Sequence, residues 1–152
     1  MRIRSLGILG CAVALTLASA GAAPADDAIG QVKTAKGTVQ VVHQGQTLPL
    51  KVGDHVFQSD TIMTDKAASV GITFTDNSMM SLGSNSKLAL SQYRFDATTH
   101  VGVFDSVLSQ GTLAAKSGQI VKQRPEAMHI STPTALLGVR GTEFVVRVEG
   151  KS

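Results

Sequence analysis

An all-β fold is predicted for most of this sequence, and three observations predict it. Apolar and polar residues alternate with a two-residue period, the alternating runs are short, and clusters of Gly, Asn, Asp and Ser bound them. Alternation is what a half-buried strand requires, because successive side chains point to opposite faces of a sheet. Turn clusters recurring every 8 to 12 residues or so are the punctuation of a sandwich or a roll. Beyond the first 25 residues, no stretch of about a dozen residues carries a 3.6-residue apolar stripe. Short strands stacked as a solenoid-like roll or a two-layer β-sandwich are therefore expected.

The chain opens with Met1-Arg2-Ile3-Arg4, two positive charges ahead of an apolar run from Leu6 to Ala20. Gly21-Ala22-Ala23-Pro24-Ala25 comes next, and then the acidic pair Asp26-Asp27. This is the charged region, apolar core and small-residue cleavage site of a secretory signal peptide. The apolar core is about 15 residues, short of the roughly 20 needed to span a bilayer. Cleavage after Ala22 or Ala25 satisfies the small-residue rule, and Ala25 is favoured because the acidic pair then begins the mature chain. Cys11 lies too early in the apolar core to mark a lipoprotein, so a soluble periplasmic product without a stable membrane anchor is expected. It is also the one cysteine in the sequence. The mature chain therefore has no disulfide, thiol nucleophile or cysteine metal site.

Residues 26–36 read as a loose lead-in, and residues 37–152 as a single domain. The first strand is expected at Gly37–Val42. Gly45 and Gly53-Asp54 mark turns before the alternating run Ser69–Thr75, which puts Val70, Ile72 and Phe74 on one face. Asp76-Asn77-Ser78 and Gly83-Ser84-Asn85-Ser86 are the next turns, succeeded by strands at Lys87–Ser91 and His100–Val103. Gly111 and Ser117-Gly118 punctuate the C-terminal third. From Ser117 to Pro133 the sequence is polar and Pro125 interrupts it, so an exposed loop or edge is expected there. Glu143–Val148 is the closing strand. The candidate core is Val39, Val41, Leu50, Val70, Ile72, Phe74, Leu82, Leu88, Leu90, Phe144 and Val146.

The ordered series of these turns and strands carries a resemblance. Gly37-Thr38-Val39-Gln40-Val41, Leu50-x-x-Gly53-Asp54 and Asp60-Thr61-Ile62-Met63-Thr64 form its opening. Phe74-Thr75-Asp76-Asn77-Ser78, Leu82-Gly83-Ser84-Asn85-Ser86 and Gln110-Gly111-Thr112-Leu113 form its middle. Ile130-Ser131-Thr132-Pro133 and Gly138-Val139-Arg140-Gly141-Thr142-Glu143-Phe144 close it. Together they resemble the FecR domain, a periplasmic domain of iron-transport signalling regulators and of stand-alone envelope proteins, from about Gly37 to Val148. The resemblance implies a non-enzymatic interaction or sensing module, without cofactor. Its partner would be an envelope protein such as an outer-membrane receptor's signalling domain, with iron-uptake-type signalling as the implied setting. It also marks Gly53, Asp54, Thr64, Phe74, Asp76, Ser78, Gly83, Asn85, Ser86, Arg140, Gly141, Thr142 and Phe144 as family-motif positions, structural or partner-facing. Two departures stand out. A cleavable signal occupies the place of a regulator's cytoplasmic anti-sigma segment and membrane helix, which argues against direct sigma-factor control. The family pattern continues past Arg-Gly-Thr into further strands, whereas this sequence stops at Ser152, so the last strands are expected either to be missing from it or to be supplied by a partner. Addition of that strand to an open edge is the expected mode.

Weighed as chemistry, the motifs point the same way. Asp and Asn in the two serine-rich clusters suit tight turns better than calcium ligation, which needs a series of oxygen ligands at fixed positions. Arg140 could hold a carboxylate or phosphate of a partner, but an internal ion pair locking the turn is the favoured reading. His43, His55, His100 and His129 lack metal-ligand spacing, and no G-x-S-x-G elbow is present. One Tyr, five Phe and no Trp make a thin platform for sugars, which weakens the alternative of a structural or glycan-binding domain. Loss of Arg2 and Arg4 leaves 12 Lys and Arg against 11 Asp and Glu, a net charge of +1 with no basic stripe for nucleic acid.

Overall fold

The computed structural model describes residues 26–150, so the expected signal peptide, its expected cleavage site and Cys11 lie outside the described residues. Twelve strands form one curled, mostly antiparallel sheet. They are β1 (Gly30–Lys36), β2 (Val39–His43), β3 (Gln46–Pro49), β4 (His55–Val56), β5 (Thr61–Thr64) and β6 (Ser69–Phe74). Next along the chain are β7 (Met79–Leu82), β8 (Lys87–Phe95), β9 (Gly102–Lys116), β10 (Met128–Ser131), β11 (Leu136–Gly138) and β12 (Glu143–Val148). A five-residue helix, α1 (Gln119–Gln123), and a 3₁₀ turn at Pro125–Ala127 separate β9 from β10.

The all-β expectation holds, and β9 explains the shape. Its first part, from Gly102 to Gln110, pairs with β8, and β8 leads outward through β5 and β2 to β3. Its second part, from Gly111 to Lys116, pairs with β7 and β12, and β7 leads through β6 and β1 to β4. One strand thus belongs to both halves of the sheet. Gly111, read from sequence as a boundary, is instead the bend inside this strand. Its φ is +92°, and an added Cβ would collide with Ser86, so only glycine suits the position.

The halves face each other across a packed core. Phe74 of one half meets Tyr93 and Phe104 of the other, with ring centroids 5.7 and 4.7 Å away, and Tyr93 meets Phe104 edge-on at 4.9 Å. Edge-on contacts such as the two made by Phe104, and offset stacking such as that of Phe74 on Tyr93, are favoured by the ring quadrupole. Nine of the expected core residues, those from Val39 to Leu90, are buried, whereas Phe144 and Val146 are only half-buried. The reason is that β12 pairs with β9 on one side only.

Two expectations need correction. Residues 30–36 are not a lead-in but β1, paired to β4 and along its length to β6. A register shift between Val32 and Thr34 breaks its alternation, which is why the two-residue pattern does not show in sequence. Ser117 to Pro133 is not simply the exposed loop or edge expected. Ile120, Val121, Ala127, Met128 and Ile130 are buried, and β10 lies parallel to β9 from Met128 opposite Phe104 to Ser131 opposite Val107.

Candidate functional site

The motif residues fall into separate groups. Gly53, with φ +93°, and Asp54 form a turn fastened to β1, for the Gly53 amide donates to Val32 and the Val32 amide to Asp54, each at 2.9 Å. The Asp54 carboxylate accepts from the Lys51 amide at 2.8 Å and closes the turn. Thr64, Gly83 and Ser86 form a second group. The Thr64 hydroxyl donates to the Gly83 carbonyl at 2.5 Å and accepts from the Ser86 amide at 2.9 Å. The Ser86 hydroxyl in turn accepts from the Thr112 amide on β9 at 3.0 Å. Asn85 is exposed and supplies the positive φ (51°) of this turn.

The third group is buried and more densely wired. Asp76, fully buried, accepts from the Ser78 amide at 3.1 Å, the Ser78 hydroxyl at 2.6 Å, the Tyr93 hydroxyl at 3.2 Å and the Ile120 amide at 3.4 Å. Its amide donates to the Tyr93 oxygen at 3.0 Å, and the Ser78 hydroxyl accepts from the Gly118 amide at 3.0 Å. Asn77 turns the chain at φ 64°, a conformation that asparagine tolerates better than most non-glycine residues. Phe74 packs beside this network in the core. Burial raises the Tyr93 phenol above its ordinary 10.0; the Thr75 hydroxyl opposes the rise and the Asp76 charge adds to it. Every acceptor position of Asp76 is taken from within the fold, so the residue acts as a staple between β6, β8 and α1.

The fourth group is open. Arg140, Gly141 and Thr142 are exposed, and Phe144 is half-buried. The ion pair expected for Arg140 does not form: among the described residues no carboxylate lies within 4.0 Å of its guanidinium. Ser117 holds the turn instead, its amide donating to Thr142 and its hydroxyl to Gly141, both at 2.8 Å. From this turn β12 runs along β9 and, among the described residues, pairs with nothing else. Glu143, Val145 and Arg147 are exposed on one face of it, Val145 at 70%. Phe144, Val146 and Val148 are half-buried on the other. A groove of about 380 Å³ lies along its outer face between Met79 and Val145, floored by Ser81 and Ala114.

The other sheet ends differ. β3 is a four-residue strand ending in Pro49, and β4 has two residues. Proline and shortness are standard protections of an edge; β12, six residues without proline, has neither.

Sequence reasoning missed two side-chain pairs. His43 Nδ1 lies 2.5 Å from the buried Asp60, and His129 Nδ1 lies 3.0 Å from Asp105. The first pair borders a cavity of about 510 Å³ that also holds Ser59, Asp26 and Asp27. Among the described residues no hydroxyl bonds to either imidazole, so the pairs lack the nucleophile contact of a catalytic triad. Asp60 also accepts from the Phe57 amide at 2.9 Å, which makes it a turn clamp. The partners are 17 and 24 residues apart in sequence, and no short motif could reveal them.

Known proteins provide a comparison for this geometry. No curated protein matches the chain. A solved structure described as a "Cell surface anchoring domain" is similar at 35% identity, over 40% of this chain and 82% of its own, with a TM-score of 0.39. The family model described as "FecR protein" matches residues 60–152. That span runs from the Asp60 clamp through the Asp76 staple to β12, well over half of the sequence, and the chain belongs to the FecR protein family.

Proposed function

We propose that this protein is a non-catalytic periplasmic module that takes an extended segment of an envelope protein onto the free edge of β12. Membership of a signalling and regulatory family sets the general role, an envelope-associated sensing module. The observation that carries the finer reading is the edge itself. It has six residues, no proline and a 70% exposed valine, in a molecule whose other terminal strands are short or proline-ended. Main-chain hydrogen bonds along such an edge give affinity, and side chains on alternate positions give selectivity. The aromatic residues support a protein partner over a glycan, since Phe74, Tyr93 and Phe104 are spent in the core. No helix among the described residues is long and apolar enough to cross a membrane.

Site-specific photocrosslinking in the native cell tests this. A crosslinking side chain at Val145 should give adducts with an envelope protein, and one at Leu48 on β3 should not. Adducts at neither position, together with sedimentation of the purified protein with peptidoglycan, would overturn the reading in favour of a wall-binding domain.

A further inference from the structure

We infer that the resting occupant of the β12 edge is a second copy of this chain, paired antiparallel about a two-fold axis at Val145. The inference extends the reading of β12 as the docking edge, and it rests on the order of side chains along that strand. Laying one β12 against another about Val145 sets Val145 opposite its counterpart, Phe144 opposite Val146, and Glu143 opposite Arg147, twice by symmetry. All three exposed residues then meet exposed residues, and the half-buried Phe144 and Val146 meet each other, while Val148 falls opposite Thr142 beyond the strand's start, so the two sheets continue into each other with their faces matched over residues 143–147. Neighbouring registers do worse. An axis at Val146 sets Glu143 against Glu149, an axis at Phe144 sets Arg147 against Gly141, and an axis between residues mixes the two faces.

The charges are available for this use. Arg147 faces Thr112 on β9 and has no carboxylate within 4.0 Å among the described residues. Glu143 has one partner, Lys116 at 3.6 Å, in an exposed pair that contributes little. In the pairing Glu143 would lie between Lys116 of its own chain and Arg147 of the second. Directly opposed opposite charges favour a strand pair, and like charges oppose it. Five paired residues per strand bury far less than a standard interface, so the association is weak and concentration-dependent. An envelope partner could displace the second copy, which makes dimer dissociation a gate on partner binding.

The test is sedimentation equilibrium on the full chain, purified as the cell processes it. The wild-type mass should double as concentration rises. Glu143→Arg alone and Arg147→Glu alone each place two like-charge pairs across the axis and should weaken association by roughly tenfold or more. The double variant should restore it. Mixing the two single variants should give a heterodimer, which also shows that both are folded. A wild-type protein that stays monomeric up to its solubility limit overturns the inference, as does a dimer that neither single variant weakens. The Val145 crosslinking result is independent: a monomer that still crosslinks to an envelope protein retires the self-pairing and leaves the docking edge standing.

Discussion

Two turns of similar chemistry, the Asp76 turn between β6 and β7 and the Arg140 turn between β11 and β12, have opposite fates in this fold. Each offers one charged residue among small ones. Asp76 is fully buried, and four donors converge on its carboxylate. Arg140 is exposed, and its guanidinium has no carboxylate partner among the described residues. The two are nevertheless neighbours along the chain's wiring, because Ser117 holds the Arg140 turn while the next residue, Gly118, is held by Ser78 of the Asp76 turn. The difference teaches that motif residues of one family divide into staples and surface. The division depends on whether donors surround the charge, and charge type alone does not decide it.

Substitutions can break or sharpen that contrast. The largest effect is expected from Asp76→Ala, which strands the Ser78 and Ile120 amides and the Tyr93 and Ser78 hydroxyls. Removing a buried charged acceptor of this kind costs about 3 kcal/mol or more, visible as a lower urea midpoint. A loss under about 1 kcal/mol would mean the Asp76 turn is no staple. Tyr93→Phe is expected to cost about 1 to 2 kcal/mol at neutral pH, with a sign that can be tracked by titration. The phenol's folded pKa is raised above 10.0, so its contribution is complete below pH 10.0. It falls as pH rises further, because the unfolded tyrosine ionises first. The gap between wild type and Tyr93→Phe should therefore narrow above pH 10.0, and a gap that widens there would contradict the assigned burial. Ser117→Ala removes the hydroxyl anchor of the Arg140 turn. It should cost about 1 kcal/mol and speed hydrogen exchange at Gly141 to Phe144 while leaving the Asp76 turn protected. Arg140→Ala should change stability by less than about 0.5 kcal/mol. A larger loss in thermal melts would place Arg140 among the staples after all.

Legibility in the sequence obeys the same physics. Strands β2, β6, β8 and β12 are legible because their apolar residues alternate, and the turns at Asp76 and Gly83 because Asn and Ser chemistry marks them. β1 is not, since Val32 is its only large apolar residue and the register shift beside it disrupts the period. The five-residue α1 is too short to show a helical period, and the parallel seating of β10 on β9 is a tertiary choice. For the site, the motif positions are visible but their division is not. The missing ion pair of Arg140, the anchoring of its turn by Ser117, and the His43–Asp60 contact all depend on which segments the fold brings together.

The bend at Gly111 has a consequence for the order in which the chain can assemble. Without β9 the strands form two unconnected ladders, β4-β1-β6-β7 and β3-β2-β5-β8. A chain emerging from its N-terminus therefore holds ladders whose innermost edges, β7 and β8, wait for a strand not yet delivered. Such late, non-local pairing slows folding and leaves sticky intermediates. Arrival of β9 then satisfies both ladders at once, so maturation should be abrupt, and a chain cut short before residue 102 should be a client for chaperones and proteases.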